Sequence, residues 1–155
     1  MSNSCRYGFP AQNLLETYPK HSKYRGMTYT CPIKIRLFRN STNFRTYKAG
    51  EVIFREGDVG AEMFVVRNGS VAIRLGEKTV ATLAQDEIFG EMALVDKQPR
   101  SATAVAATDC ELVPIDMKQF LFLVTQTPNF SVQVMQILTF RLREMDAALL
   151  RQVPQ

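Results

Sequence analysis

One histidine in 155 residues, three widely spaced cysteines and no apolar run of about 18 residues narrow this chain before any motif is read. A metal-dependent enzyme on a small β-barrel needs several His and carboxylate ligands converging on one ion. His21 lies outside the part of the chain that reads as a barrel. Neither such a centre nor a Ser-His-Asp or Cys-His constellation can be assembled with it. No catalytic residue, metal ligand or cofactor is assigned, and the chain is not expected to be an enzyme. Cys5, Cys31 and Cys110 are odd in number and match neither a metal-binding spacing nor a disulfide framework. Cys110 sits in an apolar run and reads as a small buried hydrophobe. No transmembrane span is expected, and the N-terminus lacks the apolar stretch of a signal peptide. Reduced thiols and the missing leader lead us to expect a cytoplasmic location.

Acidic residues are scarce at one end only. Residues 1–50 carry nine Lys or Arg against one acid, whereas residues 51–155 carry ten against fourteen. The net charge of +4 therefore belongs to the N-terminal part, not to the remainder. This distribution weakens a nucleic-acid reading of the high isoelectric point. The length suits one domain. Residues 1–30 show no sustained period and are expected to be a poorly ordered extension. Residues 31–150 are expected to form the domain, and 151–155 a tail.

What is present reads as β-structure followed by helix. From Phe44 to Asp116, short apolar runs alternate with Gly, Asn and Asp turn signals at intervals of about 8–12 residues, as in a sandwich or barrel. Asn68-Gly69 signals a hairpin. Gly76-Glu77-Lys78 signals another turn before a strand from Thr79 to Leu83. Ile33 to Leu37 fits either a strand or a helix face. Asp116 with Gln119 three residues on predicts a capping box and a helix. Thr127-Pro128 restarts the helical pattern, with Pro at the first position. Phe130, Val134, Ile137, Leu138, Met145 and Leu149 then recur near helical spacing to about Leu150. Such a helix spans roughly 35 Å and outruns a small barrel. Its distal apolar face, with Leu138, Leu142, Met145 and Leu149, therefore needs a second copy or another protein partner. Arg141, Arg143, Glu144 and Asp146 read as its charged remainder.

The segment Phe89 to Ala104 carries the chemistry. Gly90-Glu91 stands where a short helical turn could begin, and Arg100 follows nine residues after the Glu within Pro99-Arg100-Ser101-Ala102. A helix start offers unpaired N–H groups to an anion. Arginine offers a permanently charged planar fork for phosphate. A carboxylate accepts from a sugar hydroxyl. This ordered stretch resembles the phosphate-binding cassette of the cyclic nucleotide-binding domain family. Upstream, Tyr47 to Asp58 and Met63 to Ile73 resemble the family's opening strands.

The resemblance implies an α+β fold: a small jelly-roll-like β-barrel with a short cassette helix and two C-terminal helices. It implies that Arg100 pairs with the phosphate, helped by Ser101 and by backbone N–H groups near Met92, Ala93 and Ala102. Glu91 and the backbone of Gly90 would hold the 2′-hydroxyl. Ile73, Val80 and Leu83 would line the ribose and base, and Met145 would cover the base. The turn before the cassette departs from the family's glycine-rich pattern. It reads Gln85-Asp86-Glu87, so Asp86 and Glu87 are expected to add negative charge near the anion site and weaken affinity. The expected function is a stand-alone regulatory module whose ligand is cAMP in preference to cGMP, and which signals by repositioning its C-terminal helices. The alternative is a degenerate domain of the same fold used for protein–protein contact. Only five residues follow Leu150, so direct sequence-specific DNA binding is not expected.

Overall fold

The computed structural model describes residues 31–150, apart from the side chain of Leu150. The expectations for residues 1–30 and 151–155, including His21 and Cys5, lie outside the described residues. Eight strands are described: β1 (Arg45–Tyr47), β2 (Val52–Phe54), β3 (Glu62–Asn68), β4 (Val71–Leu75), β5 (Lys78–Leu83), β6 (Ile88–Phe89), β7 (Thr103–Ala106) and β8 (Cys110–Asp116). Helix α1 (Glu91–Asp96) interrupts them, and α2 (Met117–Gln126) and α3 (Pro128–Leu150) close the chain. The strands form two antiparallel four-stranded sheets in the orders β1-β8-β3-β6 and β2-β7-β4-β5. This is the α+β, jelly-roll-like barrel with a cassette helix and two C-terminal helices.

Asn68-Gly69 does not make a hairpin. Strands β3 and β4 belong to different sheets, so the chain turns a corner there. Gly69 has φ of +80°, and a side chain at that position would collide with the backbone of Asp109 and Cys110. The close approach of the 107–109 corner, rather than hairpin pairing, accounts for the glycine. Gly76-Glu77 does close a hairpin, with Leu75 opposite Lys78. The segment Ile33 to Leu37 is neither strand nor α-helix but leads into a 3-10 turn at Arg36–Phe38.

The capping box at α2 is present in both halves. The Gln119 N–H donates to Asp116 Oδ1 at 2.8 Å, and the Asp116 N–H donates to Gln119 Oε1 at 3.1 Å. Two apolar clusters make the core. One fills the barrel, with Phe64, Val71, Leu83, Phe89 and Leu112. Its rings Phe64 and Phe89 lie 5.3 Å apart. The other lies between the β8-β3 sheet and the helices, with Met63, Ile88, Leu94, Ile115, Phe130 and Ile137. Cys31 and Ile35 are buried in this second cluster, and Cys110 is buried in the first.

The 23-residue α3 carries two apolar stripes, not the single one that its sequence suggests. Phe130, Val134 and Ile137 are buried toward the sheet. Met135, Leu142, Met145 and Leu149 are 58–64% exposed on another face. At 100° per residue, Arg141 continues the buried stripe, four residues after Ile137. It is not part of a solvated remainder.

Candidate functional site

Gly90 sets the geometry of the cassette. It follows β6, takes φ of +76° and precedes Glu91, the first residue of α1. Lys97, at φ of +58°, ends that helix in the left-handed region, and the chain returns to bring Arg100 back over Gly90. The Arg100 Nη1 group donates to the Gly90 carbonyl at 2.8 Å, and Nη2 donates to the Glu62 carbonyl at 2.7 Å. Its Cζ lies 4.2 Å from the centre of the Phe54 ring. Arg100 is 7% exposed and Glu91 is 3% exposed.

Two polar atoms in this arrangement have no hydrogen-bond partner among the described residues: Arg100 Nε and Glu91 Oε2. Arg100 forms no ion pair with a described carboxylate. Burial pushes its guanidinium pKa down, and the more distant charges of Glu62, Asp58 and Glu91 pull it back up. A guanidinium has five N–H donors, and two of Arg100's go to carbonyls. The remainder, on a buried cation, suit an anion. Glu91 Oε1 accepts from Arg141 Nη1 of α3 at 2.7 Å, and Arg141 Nη2 donates to the Ile88 carbonyl. Glu91 thus keeps one oxygen for a further donor.

Gly90, Glu91 and Arg100 therefore come together. Ala93 is buried beside them on α1, and Ala102 is half-buried. Met92 and Ser101 are exposed, with Ser101 Oγ 3.8 Å from Met92 Sδ. Ile73 and Leu83 join the barrel cluster. Val80 stands at a bulge between the pairs Ile73–Ala81 and Arg74–Thr79, so Ala81 shares the inner face with Ile73. Met145 is 64% exposed, and the α3 residue that reaches the cassette is Arg141, one turn earlier.

Asp86 and Glu87 do not form the unbalanced acidic cluster that the sequence suggests. Asp86 accepts from Arg39 Nε at 3.0 Å, and Lys34 Nζ lies 2.8 Å from Glu87 Oε1. Both cations come from the segment before β1, and the Ile35 N–H donates to the Asp86 carbonyl at 2.7 Å. Asp86 itself takes φ of +68°. It occupies the left-handed position where a glycine would be usual, a position that Asp tolerates better than most residues.

Sequence reasoning missed Phe54 and Gly60 beside the guanidinium, and it misplaced Arg141. The stripe Phe130, Val134, Ile137 extended by one further turn would have found Arg141.

The family model described as cyclic nucleotide-binding domain matches residues 44–127. The chain is 39% identical over 110 residues to the cyclic AMP receptor protein of Thermus thermophilus, covering 68% of this chain and 51% of that protein. It is 42% identical over 79 residues to a cGMP-dependent protein kinase of Eimeria tenella, covering 50% of this chain and 8% of the kinase. The chain thus spans about half of the first relative and a small part of the second. Among solved structures, the Thermus thermophilus catabolite activator protein superposes with a TM-score of 0.66 at 36% identity, over 77% of this chain and 58% of that one.

Proposed function

The chain belongs to the cyclic nucleotide-binding domain family, and on that premise we propose that it is a regulatory module that binds a 3′,5′-cyclic nucleotide, cAMP in preference to cGMP. The observation that carries this reading is the buried Arg100 guanidinium, whose Nε has no hydrogen-bond partner and which forms no ion pair among the described residues. A buried charge without a counter-ion is costly, and a cyclic phosphate would supply one. Phosphate oxygens take the free Arg100 donors, while the ribose 2′-hydroxyl donates to Glu91 Oε2. Arg100 lies between the two negative groups. Ile73, Leu83 and the inner barrel face take the ribose and base.

Preference for cAMP is supported by the longer match to a protein named for that ligand. Output follows from Glu91. Its second oxygen is held by Arg141, so a ligand on Glu91 acts directly on α3. Binding biases α3 only through the difference in affinity between its positions. The outer stripe of α3 then meets a second copy of the chain. Neither catalysis nor a metal has a part in this reading.

Thermal melts with cAMP, cGMP and 5′-AMP test it. A rise in melting temperature with either cyclic nucleotide, absent with 5′-AMP, is the expected result. No rise with any of the three favours the degenerate, protein-contact reading.

A further inference from the structure

The described glycines differ in one respect. Gly50, Gly57, Gly69, Gly76 and Gly90 all have φ between +57° and +88°, where a side chain is disfavoured. Gly60 lies outside that region, so positive φ does not account for a glycine there. Its lack of a side chain is explained by what lies against it. A Cβ there would overlap Arg100 Nε and Cζ and lie only 2.9 Å from Nη2, so something would have to shift. The guanidinium therefore packs against both the Phe54 ring and Gly60.

The rest of the same loop grips Arg100 as well. The Gly57 N–H donates to the Arg100 carbonyl at 2.8 Å, and the Arg100 N–H donates to the Asp58 carbonyl at 2.8 Å. The Glu62 carbonyl takes Nη2. Glu62 is itself fixed by Arg45, whose two terminal nitrogens each donate to its carboxylate at 2.8 Å.

We infer that Gly60 is a positioning residue for the anion-reading arginine: the Gly57–Glu62 loop sets where the Arg100 guanidinium sits, and Gly60 leaves the space for it. This rests on the cyclic-nucleotide reading of Arg100. A methyl group at Gly60 meets the far end of a flexible side chain, not backbone. The arginine gives way, and the fold does not. Gly60→Ala thus separates position from stability.

The test uses the full chain as wild type, Gly60→Ala, Arg100→Lys and the double variant. The first readout needs no ligand. The Arg100 Nε–H resonance, assigned by its loss in Arg100→Lys, should stand apart in the wild type, displaced by the Phe54 ring and slow to exchange. In Gly60→Ala it should move to the position of exposed arginines, with the melting temperature changed by only a few degrees. The second readout is cAMP affinity. Gly60→Ala should weaken it about tenfold, the scale of one misplaced charge-assisted bond, and should add no loss to Arg100→Lys. An unmoved Nε–H resonance in Gly60→Ala overturns the inference, as does an affinity loss of equal size on both backgrounds. A wild type that binds no cyclic nucleotide would instead sink the functional reading, while the resonance still decides the role of Gly60.

Discussion

Arg141 of α3 and Glu91 of α1 form a 2.7 Å ion pair across fifty residues of sequence. The carboxylate is 4% exposed at its side chain and the guanidinium 28%. The pair joins the cassette to the only described helix long enough to extend beyond the barrel. A buried carboxylate that loses its cation is left uncompensated, which costs more than the pair itself contributes. Arg141→Gln should therefore lower stability by about 2–3 kcal/mol in urea unfolding. Adding Glu91→Gln should restore part of that loss. If the double variant is less stable than Arg141→Gln alone, the pair does not hold α3 in this way.

Arg100→Ala should weaken cyclic-nucleotide binding about 100-fold, or roughly 3 kcal/mol, in a protein that still folds. Unchanged affinity in a folded variant removes Arg100 from the site. A 2′-deoxy nucleotide should bind wild type more weakly than its parent but lose little more on Glu91→Ala. Simple addition of the two losses would show that Glu91 does not read that hydroxyl.

The outer face of α3 gives the third prediction. Met135, Leu142, Met145 and Leu149 are exposed there at spacings of seven, three and four, and the half-buried Leu138, which packs against the core, borders them, the pattern of a two-helix seam. Leu142 is 59% exposed, so Leu142→Glu should leave the barrel intact. Sedimentation should show a dimer for the wild type and a monomer for Leu142→Glu. Truncation after Thr139 removes Leu142, Met145 and Leu149 of the seam together with Arg141, so it should lower self-association and nucleotide affinity together. A wild type that is monomeric with and without nucleotide rules out the seam.

Burial pushes the Cys110 thiol up to about 11, with Asp109 and Glu51 adding to the shift. The folded chain then holds this proton more tightly than the unfolded chain, whose thiol titrates near 9.0. The stabilising contribution is complete below pH 9 and is lost as pH rises toward 11. Cys110→Ala should flatten the fall in stability across that window relative to wild type, as read by urea midpoints. Parallel curves would contradict the assignment.

Much of the fold was legible because its signals are local. The Asp116–Gln119 capping box, the Gly76 turn and the Pro128 start each depend on a few neighbouring residues. What failed depends on distant contacts. Asn68-Gly69 has hairpin chemistry, yet the 107–109 corner decides which sheet follows. Asp86 and Glu87 read as bare charge because Lys34 and Arg39 lie about fifty residues away in sequence. At the site, Gly90, Glu91 and Arg100 were legible from their order in a family pattern. Arg141 was hidden because charge in a helix reads as surface until its buried face is fixed. Gly60 was hidden because nothing local distinguishes it from a turn glycine.

Calorimetric titration of the wild-type chain with cAMP and cGMP is the most direct measurement of the central claim. The expected result is saturable heat for one nucleotide per chain, with cAMP the tighter ligand and the heat strongly reduced in Arg100→Ala. The absence of heat with both nucleotides, or equal binding by wild type and Arg100→Ala, would contradict it.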